Sequence, residues 1–323
     1  MTSKPSGDKI LVTGGTGFLG RHLGRALKRA GYEVVLCGRN NKQNLFASQF
    51  TGCSVLPMDV SRIESVRDIV AETNPDSIIH AAATKFVDLS EVYPLETIDI
   101  NVLGSENVAR VAIEKGVKLV IGVSTDKASP PIRNIYGLTK ALMERLFCAM
   151  DGKSGTRFLC VRYGNVAWST GSVLCIWRKM LREKGIIETT GAEMTRFFFT
   201  VEEAVALILT ALDHASELHG TILAREMKSA KMMDILKVWT SLENARWIQV
   251  AGRPGDRQEE FLVGEQEFPC TRETAFSGIR HYIVSFNSTA TPHVENVISS
   301  TTAEHLTEEE IKFLLTHPPE DEI

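Results

Sequence analysis

The chain has 323 residues and a formal net charge of −4, from 36 Lys and Arg against 40 Asp and Glu, which excludes a strongly basic protein wrapped on nucleic acid. Hydrophobic residues make up 43% and charged residues 24%, so a fully disordered chain is excluded. No apolar run approaches the roughly 20 residues that a membrane-spanning helix needs, and the N-terminus lacks the apolar core of a signal peptide, so we expect a cytoplasmic protein without a nucleic-acid or membrane partner.

Short apolar segments alternate with helical patterns through the first half of the chain. The predicted strands are Lys9–Thr13, Glu33–Cys37, Ser54–Met58, Ser77–Ala81, Lys118–Val123 and Arg157–Val161. The predicted helices between them are Leu19–Ala30, Ile63–Glu72, Pro94–Lys115 and Tyr136–Met150. This alternation predicts the α/β class, with a doubly wound parallel sheet covered by helices on both faces.

The pattern loosens after about Tyr163, where glycines become frequent. Later elements are predicted at Glu202–Leu212, Gly220–Leu223 and Met232–Leu242. We expect residues 166–323 to form mainly a smaller substrate-binding lobe and a tail, with segments such as 200–215 packing back on the first domain. The tail, Asn287–Ile323, has the composition of a mobile end with one short helix signal.

The first predicted strand runs directly into a glycine-rich turn and then a helix. Gly14, Gly17 and Gly20 have a Gly-x-x-Gly-x-x-Gly spacing, and the lack of Cβ atoms allows a tight turn, close approach of a pyrophosphate, and helix-on-strand packing. The helix N-terminus offers unpaired N–H groups to the phosphates. Any turn after a strand favours glycine, but at the first strand–helix junction this stretch predicts a dinucleotide-binding, Rossmann-type domain over residues 1–165.

The second predicted strand ends in Cys37-Gly38-Arg39-Asn40, without the acidic residue that usually binds the adenosine ribose of NAD. Arg39 could instead pair with a 2′-phosphate, so we predict NADP over NAD; a solvated surface arginine is the alternative. Asp59 could meet the adenine amino group or cap the next helix. The remaining cofactor-binding candidates are Thr16, Phe18, Leu19, Asn40, Val60, Ala81, Ala82, Ala83, Lys85 and Asn101.

A possible catalytic cluster follows the fifth predicted strand. Tyr136 and Lys140 are four residues apart and share one helix face. A phenol with a pKa of about 10 is a poor base at neutral pH, and an adjacent ammonium lowers that pKa. This Tyr-x-x-x-Lys pair resembles that of the short-chain dehydrogenase/reductases, as does the first half of the chain. The resemblance implies that Tyr136 removes a sugar hydroxyl proton, that Lys140 also binds the nicotinamide ribose, and that Thr125 hydrogen-bonds the reacting oxygen.

Asp126 and Lys127 are unusual beside such a pair, because an acid and an amine at the reacting carbon permit elimination. Ser-Thr-Asp-Lys-Ala at residues 124–128 resembles the inverting UDP-N-acetylglucosamine 4,6-dehydratases of polysaccharide and pseudaminic acid biosynthesis, which are extended short-chain dehydrogenase/reductases. Further matches run over nearly the whole length, at residues 80–85, 161–166, 171–173, 194–197 and 253–255. The alternative for Asp126 and Lys127 is an ordinary ion pair on a solvated loop.

The resemblance implies a reaction that begins with oxidation of a nucleotide sugar at C4 by NADP⁺. Neutral Lys127 would then remove the C5 hydrogen, and Asp126 would protonate the C6 hydroxyl so that it leaves as water. The hydride returns to C6, and reprotonation from the opposite face inverts C5. NADP is thereby regenerated in each turnover.

Candidates for the substrate lie mainly in the second half. Arg196 and Arg253 suit a diphosphate, although either could be a surface arginine, and Glu260 is expected to orient Arg253 or a ribose hydroxyl. The other substrate-binding candidates are Lys85, Thr125, Asn165, Ser172 and Val173. The chain departs from the family here, since it lacks a histidine directly before Glu260 and has Cys175 where proline is common, so its sugar or nucleotide could differ.

Other interpretations remain open. An epimerase acting at C4 or C5 would use the same ketone without losing water, whereas a cofactor-sensing regulator would be expected to lose Tyr136 or Lys140. The six scattered cysteines and the histidine spacing predict reduced thiols and no metal site. Pro94–Lys115 and Tyr136–Met150 carry apolar residues on more than one face, which predicts a homo-oligomer; burial of both helices within one chain is the alternative.

Overall fold

The strands of the computed structural model build a large central sheet and three small ones, over residues 7–252, 255–287 and 294–320, which the structure describes. The first eight strands are β1 (Lys9–Thr13), β2 (Glu33–Gly38), β3 (Ser54–Pro57), β4 (Ser77–His80), β5 (Leu119–Val123), β6 (Arg157–Arg162), β7 (Asn165–Val166) and β8 (Ile186–Thr189). The others are β9 (Thr195–Phe199), β10 (Ile222–Arg225), β11 (Lys228–Lys231), β12 (Arg246–Gln249), β13 (Phe261–Val263), β14 (Thr271–Phe276), β15 (Ile279–Val284) and β16 (Ile298–Ser299).

The helices cover both faces of the central sheet and build most of the smaller lobe. The first six are α1 (Phe18–Arg29), α2 (Asn41–Thr51), α3 (Ile63–Thr73), α4 (Val87–Val92), α5 (Pro94–Ile98) and α6 (Gly104–Glu114). The others are α7 (Ile135–Met150), α8 (Val173–Lys184), α9 (Val201–Asp213), α10 (Ala215–Leu218), α11 (Met232–Glu243) and α12 (Glu308–Thr316). No helix among the described residues is long and apolar enough to cross a membrane.

The central sheet has the order β14-β15-β10-β6-β5-β4-β1-β2-β3. Strands β3 to β10 in this order are parallel, and the β14–β15 hairpin extends the sheet in the antiparallel direction. Apolar side chains are buried on both faces, Val12 and Ile121 in one layer and Leu11 and Val120 in the other. This two-sided burial explains the continuous apolar runs of the strands and confirms the predicted fold class.

Three elements of the first half differ from the prediction, and one of them is α4, a six-residue helix that was not predicted. Helix α2 was not predicted, because its apolar periodicity is weak; it begins at a local capping contact, in which Asn40 Oδ1 accepts from the backbone N of Gln43 at 3.0 Å. The segment predicted as one helix at Pro94–Lys115 consists of α5, a π-helical turn at Asp99–Leu103, and α6.

The second half contributes to both the central sheet and a smaller lobe. Strands β10, β14 and β15 belong to the central sheet, and α9 packs against α1. The smaller lobe has its own apolar core, which contains Trp168, Trp177 and Trp239. The tail is not a loose end in the described part, because β16 pairs with β13 and α12 packs against α11.

Candidate active site

A cradle for a dinucleotide forms where β1 turns into α1. Gly14 has a φ of 66°, and a Cβ there would stand 2.6 Å from the backbone N of Ala82. At Gly20 a Cβ would stand 2.4 Å from Cα of Gly15. Both positions therefore require glycine, because the turn lies against the loop after β4 and α1 lies against the turn. The N-terminus of α1 is thereby brought to the edge of a cavity, where its free N–H groups suit a phosphate.

This cofactor cavity has a volume of about 410 Å³. Most of the predicted cofactor residues line it: Gly14, Thr16, Gly17, Phe18, Leu19, Gly20, Arg39, Asn40, Val60, Ala81, Ala82, Ala83 and Lys85. The described lining contains the cations Arg21, Arg39 and Lys85 and no carboxylate. A helix N-terminus combined with cations suits an anionic dinucleotide, so the residues present fit such a cofactor.

The side chains of two predicted cofactor residues, Asn40 and Asp59, form hydrogen bonds with residues close to them in the chain. Asn40 caps α2 and also lines the cofactor cavity. Asp59 Oδ1 accepts hydrogen bonds from Ser61, from the backbone N at 3.0 Å and from Oγ at 2.7 Å. The Asp59 carboxylate therefore stabilises the turn before α3 but does not cap that helix, whose N-cap residue is Arg62 without a side-chain cap bond. Contact of Asp59 with adenine stays a prediction.

Asn101, another predicted cofactor residue, is fully buried. Its Oδ1 accepts from the backbone N of Thr84 at 2.8 Å, and its Nδ2 donates to Thr84 O and to Thr139 Oγ1, both at 3.0 Å. Its amide group is thus occupied by protein partners. Asn101 thereby ties the loop after β4 to α7, and its expected contact with the cofactor stays a prediction.

Four of the five predicted catalytic residues line a second cavity of about 350 Å³, whereas Asp126 is fully buried and is not part of the lining. Its lining includes Ser124, Thr125, Lys127, Tyr136, Lys140, Asn165, Ser172 and Val173. Phe18, Leu19, Ala81, Ala83 and Lys85 line both cavities. The catalytic cavity therefore adjoins the cofactor cavity, at the carboxyl ends of the parallel strands where doubly wound folds bind ligands.

A chain of polar contacts runs along the wall of the catalytic cavity. Thr125 Oγ1 donates to Asp126 Oδ1 at 2.9 Å, and Lys127 Nζ donates to the same oxygen at 3.1 Å. Lys127 Nζ also donates to Asn165 Oδ1 at 3.3 Å and lies 3.3 Å from Glu260 Oε1. Asp126 is fully buried, so the pair is not an ordinary ion pair on a solvated loop.

Burial and mutual charge set the protonation of this cluster. Burial raises the pKa of Asp126 more than Lys127 lowers it, and Glu260 adds to the rise. Burial lowers the pKa of Lys127, but Asp126 and Glu260 outweigh this effect and leave that pKa raised. Burial likewise opposes charge on Glu260, whose pKa is nevertheless lowered by Lys127, Arg196 and Arg257. Lys127 is therefore held as an ammonium rather than as the neutral amine that the family mechanism implies.

Tyr136 and Lys140 line the same cavity but are coupled differently from the prediction. Burial raises the pKa of Tyr136 to about 12, and the groups that oppose this rise are the Lys127 ammonium and the Thr125 hydroxyl, to which Tyr136 is hydrogen-bonded. Burial lowers the pKa of Lys140 to about 8, and its Nζ lies 3.0 Å from Met143 Sδ. In this structure the cation that favours the Tyr136 phenolate is thus Lys127.

Of the two arginines predicted to bind a diphosphate, the structure describes Arg196 but not Arg253. Arg196 donates from Nη2 to Arg257 O at 2.7 Å and from Nη1 to Gln258 O at 3.3 Å, and its Nε lies 3.8 Å from Glu260 Oε1. Its guanidinium thus holds the loop at residues 257–258 and faces Glu260. Arg196 also lines a cavity of about 150 Å³ that shares Asn165 and Val173 with the catalytic cavity. Arg253 lies outside the described residues, so its expected contact with a diphosphate stays a prediction.

Several residues at the site were not predicted. Arg257 Nη1 donates to Glu260 Oε2 at 3.2 Å, and Ser300 Oγ accepts from the backbone N of Glu260 at 3.0 Å. Ser124 Oγ is buried in the cavity wall without a hydrogen-bond partner among the described residues. The position of Ser124 beside Thr125 at the end of a strand could have indicated it. Nothing local indicated Arg257 or Ser300.

The family model described as polysaccharide biosynthesis protein matches residues 10–280 of the chain. The chain belongs to this family. A UDP-N-acetylglucosamine 4,6-dehydratase (inverting) of Campylobacter jejuni is 32% identical over 281 residues, which are 83% of this chain and 81% of that protein. A UDP-glucose 4-epimerase of Rickettsia rickettsii is 34% identical over 271 residues, 80% of this chain and 78% of that protein. Relatives of this family member therefore include named enzymes of two reaction types.

Solved structures agree with the fold of this polysaccharide biosynthesis family member. The structure of Pen from Bacillus thuringiensis is similar with a TM-score of 0.88 and 26% identity, over 97% of this chain and 98% of that one. The UDP-glucose 4-epimerase of Thermus thermophilus, solved in complex with NAD, is similar with a TM-score of 0.68 and 21% identity, over 77% and 88% of the two chains. The second similarity concerns the fold alone.

Proposed function

We propose that the protein is a C5-inverting nucleotide-sugar 4,6-dehydratase that converts a UDP-N-acetylhexosamine to its 4-keto-6-deoxy product with NADP as cofactor. The observation that carries this proposal is the buried Asp126–Lys127 pair beside Thr125 and Tyr136. An epimerase needs no such acid and amine next to its Tyr/Thr pair. The dehydratase relative supports the same substrate class.

The cofactor would lie in the cofactor cavity, with its pyrophosphate at Gly17–Leu19 and its adenosine ribose near Arg39. When bound, a nicotinamide dinucleotide supplies the acceptor and donor of hydride. We assign cofactor binding to residues 1–165 and substrate binding mainly to residues 166–323. The NAD-bound epimerase of the same fold supports a dinucleotide here, and the absence of a carboxylate from the described lining supports NADP.

The side chains of the catalytic cavity hold and move protons. Tyr136 accepts the proton of the C4 hydroxyl as the phenolate that the Lys127 ammonium and the Thr125 hydroxyl favour, and Thr125 orients that oxygen through its own hydroxyl. Asp126, whose pKa burial raises, gives a proton to the C6 hydroxyl, which leaves as water. Lys127 takes the C5 proton once it has lost one of its own.

A C4 epimerase is the second candidate. It is favoured by the epimerase relative at 34% identity, and Tyr136 with Thr125 would suffice for its chemistry. Under that function the buried Asp126–Lys127 pair would have no chemical task. The two functions differ in a single observable, because only dehydration changes the mass of the sugar.

The proposal is tested by incubating the purified protein with NADP and UDP-N-acetylglucosamine, followed by mass spectrometry and by NMR analysis of the configuration at C5. We expect loss of one water and inversion at C5. Lys127→Ala should reduce water loss by at least about a hundredfold, as expected for removal of a general base, whereas the control Lys153→Ala, at an exposed lysine, should not. A sugar epimer of unchanged mass, or a Lys127→Ala variant with the wild-type rate, would refute the dehydratase.

A further inference from the structure

The amino group of Lys127 lies within 3.3 Å of three oxygen atoms that can accept hydrogen bonds. They are Asp126 Oδ1 at 3.1 Å, Asn165 Oδ1 at 3.3 Å and Glu260 Oε1 at 3.3 Å. An ammonium has three hydrogens, one for each acceptor, whereas a neutral amine has only two. Lys127 Nζ is hydrogen-bonded to Asp126 and Asn165 and lies at ion-pair distance from Glu260, so this geometry favours the charged form of Lys127.

Glu260 is the member of this group that comes from the other half of the chain, and it is held rigidly. Its side chain is only 3% exposed. Arg257 Nη1 donates to Oε2 at 3.2 Å. Ser300 Oγ accepts from the backbone N of Glu260 and donates to Thr195 O, both at 3.0 Å. A carboxylate fixed in this way restricts where Lys127 Nζ can lie.

We propose that Glu260 is a positioning residue that holds Lys127 Nζ against Asp126, so that one internal proton transfer prepares both the base and the acid for dehydration. This inference rests on the proposed function. It is an alternative to the expectation that Glu260 orients Arg253 or a ribose hydroxyl, which stays a prediction because Arg253 lies outside the described residues. Glu260 acts through Lys127 and does not itself contact the substrate.

The transfer balances without solvent. An N–H bond of the Lys127 ammonium breaks and an O–H bond forms on the Asp126 carboxylate, which leaves a neutral amine beside a carboxylic acid. The amine then takes the C5 proton, and the acid gives its proton to the C6 hydroxyl as the C6–O bond breaks and water leaves. Both side chains are thereby returned to their starting charges, ammonium and carboxylate.

The charge of Glu260 has a defined effect on Lys127. The charged or titratable groups around Lys127 are Asp126, Glu260, Arg196 and Tyr136, and Arg257 faces Glu260 from behind. Glu260 raises the pKa of Lys127. Neutralising Glu260 leaves the two arginines less opposed, so the pKa of Lys127 must fall.

The test compares Glu260→Gln in the full chain with Glu259→Gln, a neighbouring carboxylate that bonds Thr301 in the tail instead of facing Lys127. The pH dependence of reductive methylation at Lys127, followed by peptide mapping, reports its pKa without substrate. We expect that pKa to be at least about one unit lower in Glu260→Gln and unchanged in Glu259→Gln. Loss of the shared proton to solvent would leave no acid for the C6 hydroxyl, so the alkaline fall of the dehydration rate should move to lower pH by the same amount, with a maximal rate at least about tenfold lower.

A merely structural role would lower the rate without moving the pKa of Lys127, and that result would overturn the inference. If Glu260→Gln does not fold, Glu260→Asp withdraws the carboxylate by one methylene and must give a smaller fall of the same sign; an unchanged pKa there overturns the inference equally. A shifted Lys127 pKa in a protein that dehydrates no nucleotide sugar would instead refute the proposed function while leaving the Glu260–Lys127 contact intact.

Discussion

Arg39 is the single residue on which the choice between two dinucleotides depends. It lines the cofactor cavity at the end of β2, where the described lining offers no carboxylate to a ribose hydroxyl. A guanidinium bonded to a phosphate contributes about 1.5–3 kcal/mol. We therefore expect Arg39→Ala to weaken NADP binding by about tenfold to a hundredfold, and to leave NAD binding nearly unchanged, in equilibrium titrations of both cofactors.

The matched control for this prediction is Arg29→Ala. Arg29 is an exposed arginine in the last turn of α1 and does not line the cofactor cavity. Its removal changes the net charge equally but should alter neither affinity. Equal weakening of NADP and NAD in Arg39→Ala would show that Arg39 acts on a part common to both cofactors, and NADP specificity would then be wrong.

The elements around the site are joined by a buried ionic cluster on Arg162, at the end of β6. Its guanidinium bonds Glu144 on α7 at 2.8 Å and Glu267, in the segment after β13, at 2.8 Å. Ser129, just after the turn that carries Asp126, donates to Glu267 at 3.1 Å. One arginine thus connects the helix of Tyr136, the loop of Lys127 and the C-terminal half.

Breaking this cluster should destabilise the whole molecule. Burial opposes the charge of Arg162, but Glu144 and Glu267 outweigh it and raise the pKa of Arg162. Removing one partner of a buried ion pair typically costs about 3–5 kcal/mol. We expect Glu267→Ala to lower the free energy of unfolding in urea by about 3 kcal/mol. The control Glu265→Ala, at an exposed position, should change it by less than about 0.5 kcal/mol; equal effects would contradict a connecting role.

The whole molecule presents an apolar surface on the helices that cover one face of the sheet. Exposed side chains on or between α4, α5 and α7 include Leu95, which is 75% exposed, and Leu142, which is 51% exposed; the others are Leu89, Val92, Tyr93 and Leu138. Helices α4 and α5 both pack against α7, so these residues belong to one side of the molecule. Burial of the two long helical segments within one chain is therefore incomplete, which favours the predicted homo-oligomer.

We expect the double variant Leu95→Glu, Leu142→Glu to shift the protein to a monomer in sedimentation velocity, because like charges would then be buried against each other across a two-fold axis. Leu45→Glu, at a leucine of α2 that is also exposed, should leave the assembly intact. A wild-type protein that sediments as a monomer at micromolar concentration would refute the homo-oligomer.

Much of the fold could be predicted from the sequence because its signals are local. Six parallel strands, the glycine turn and the Tyr136–Lys140 spacing depend on residues close together in the chain. Helix α2 was not predicted because its apolar periodicity is weak. The π-helical turn at Asp99–Leu103 was not predicted because the apolar periodicity of Pro94–Lys115 continues through it.

The sequence by itself determined that a dinucleotide cradle is followed by Thr125, Asp126 and Lys127 at the end of a strand, since strand order and helix spacing place these residues without reference to the rest of the chain. Only the tertiary structure decided how the cluster is charged. Glu260 reaches Lys127 from far along the chain, held there by Ser300, and charges interact through space and burial rather than through sequence separation. For that reason the raised pKa favours the ammonium form of a lysine that the sequence suggested as a neutral base.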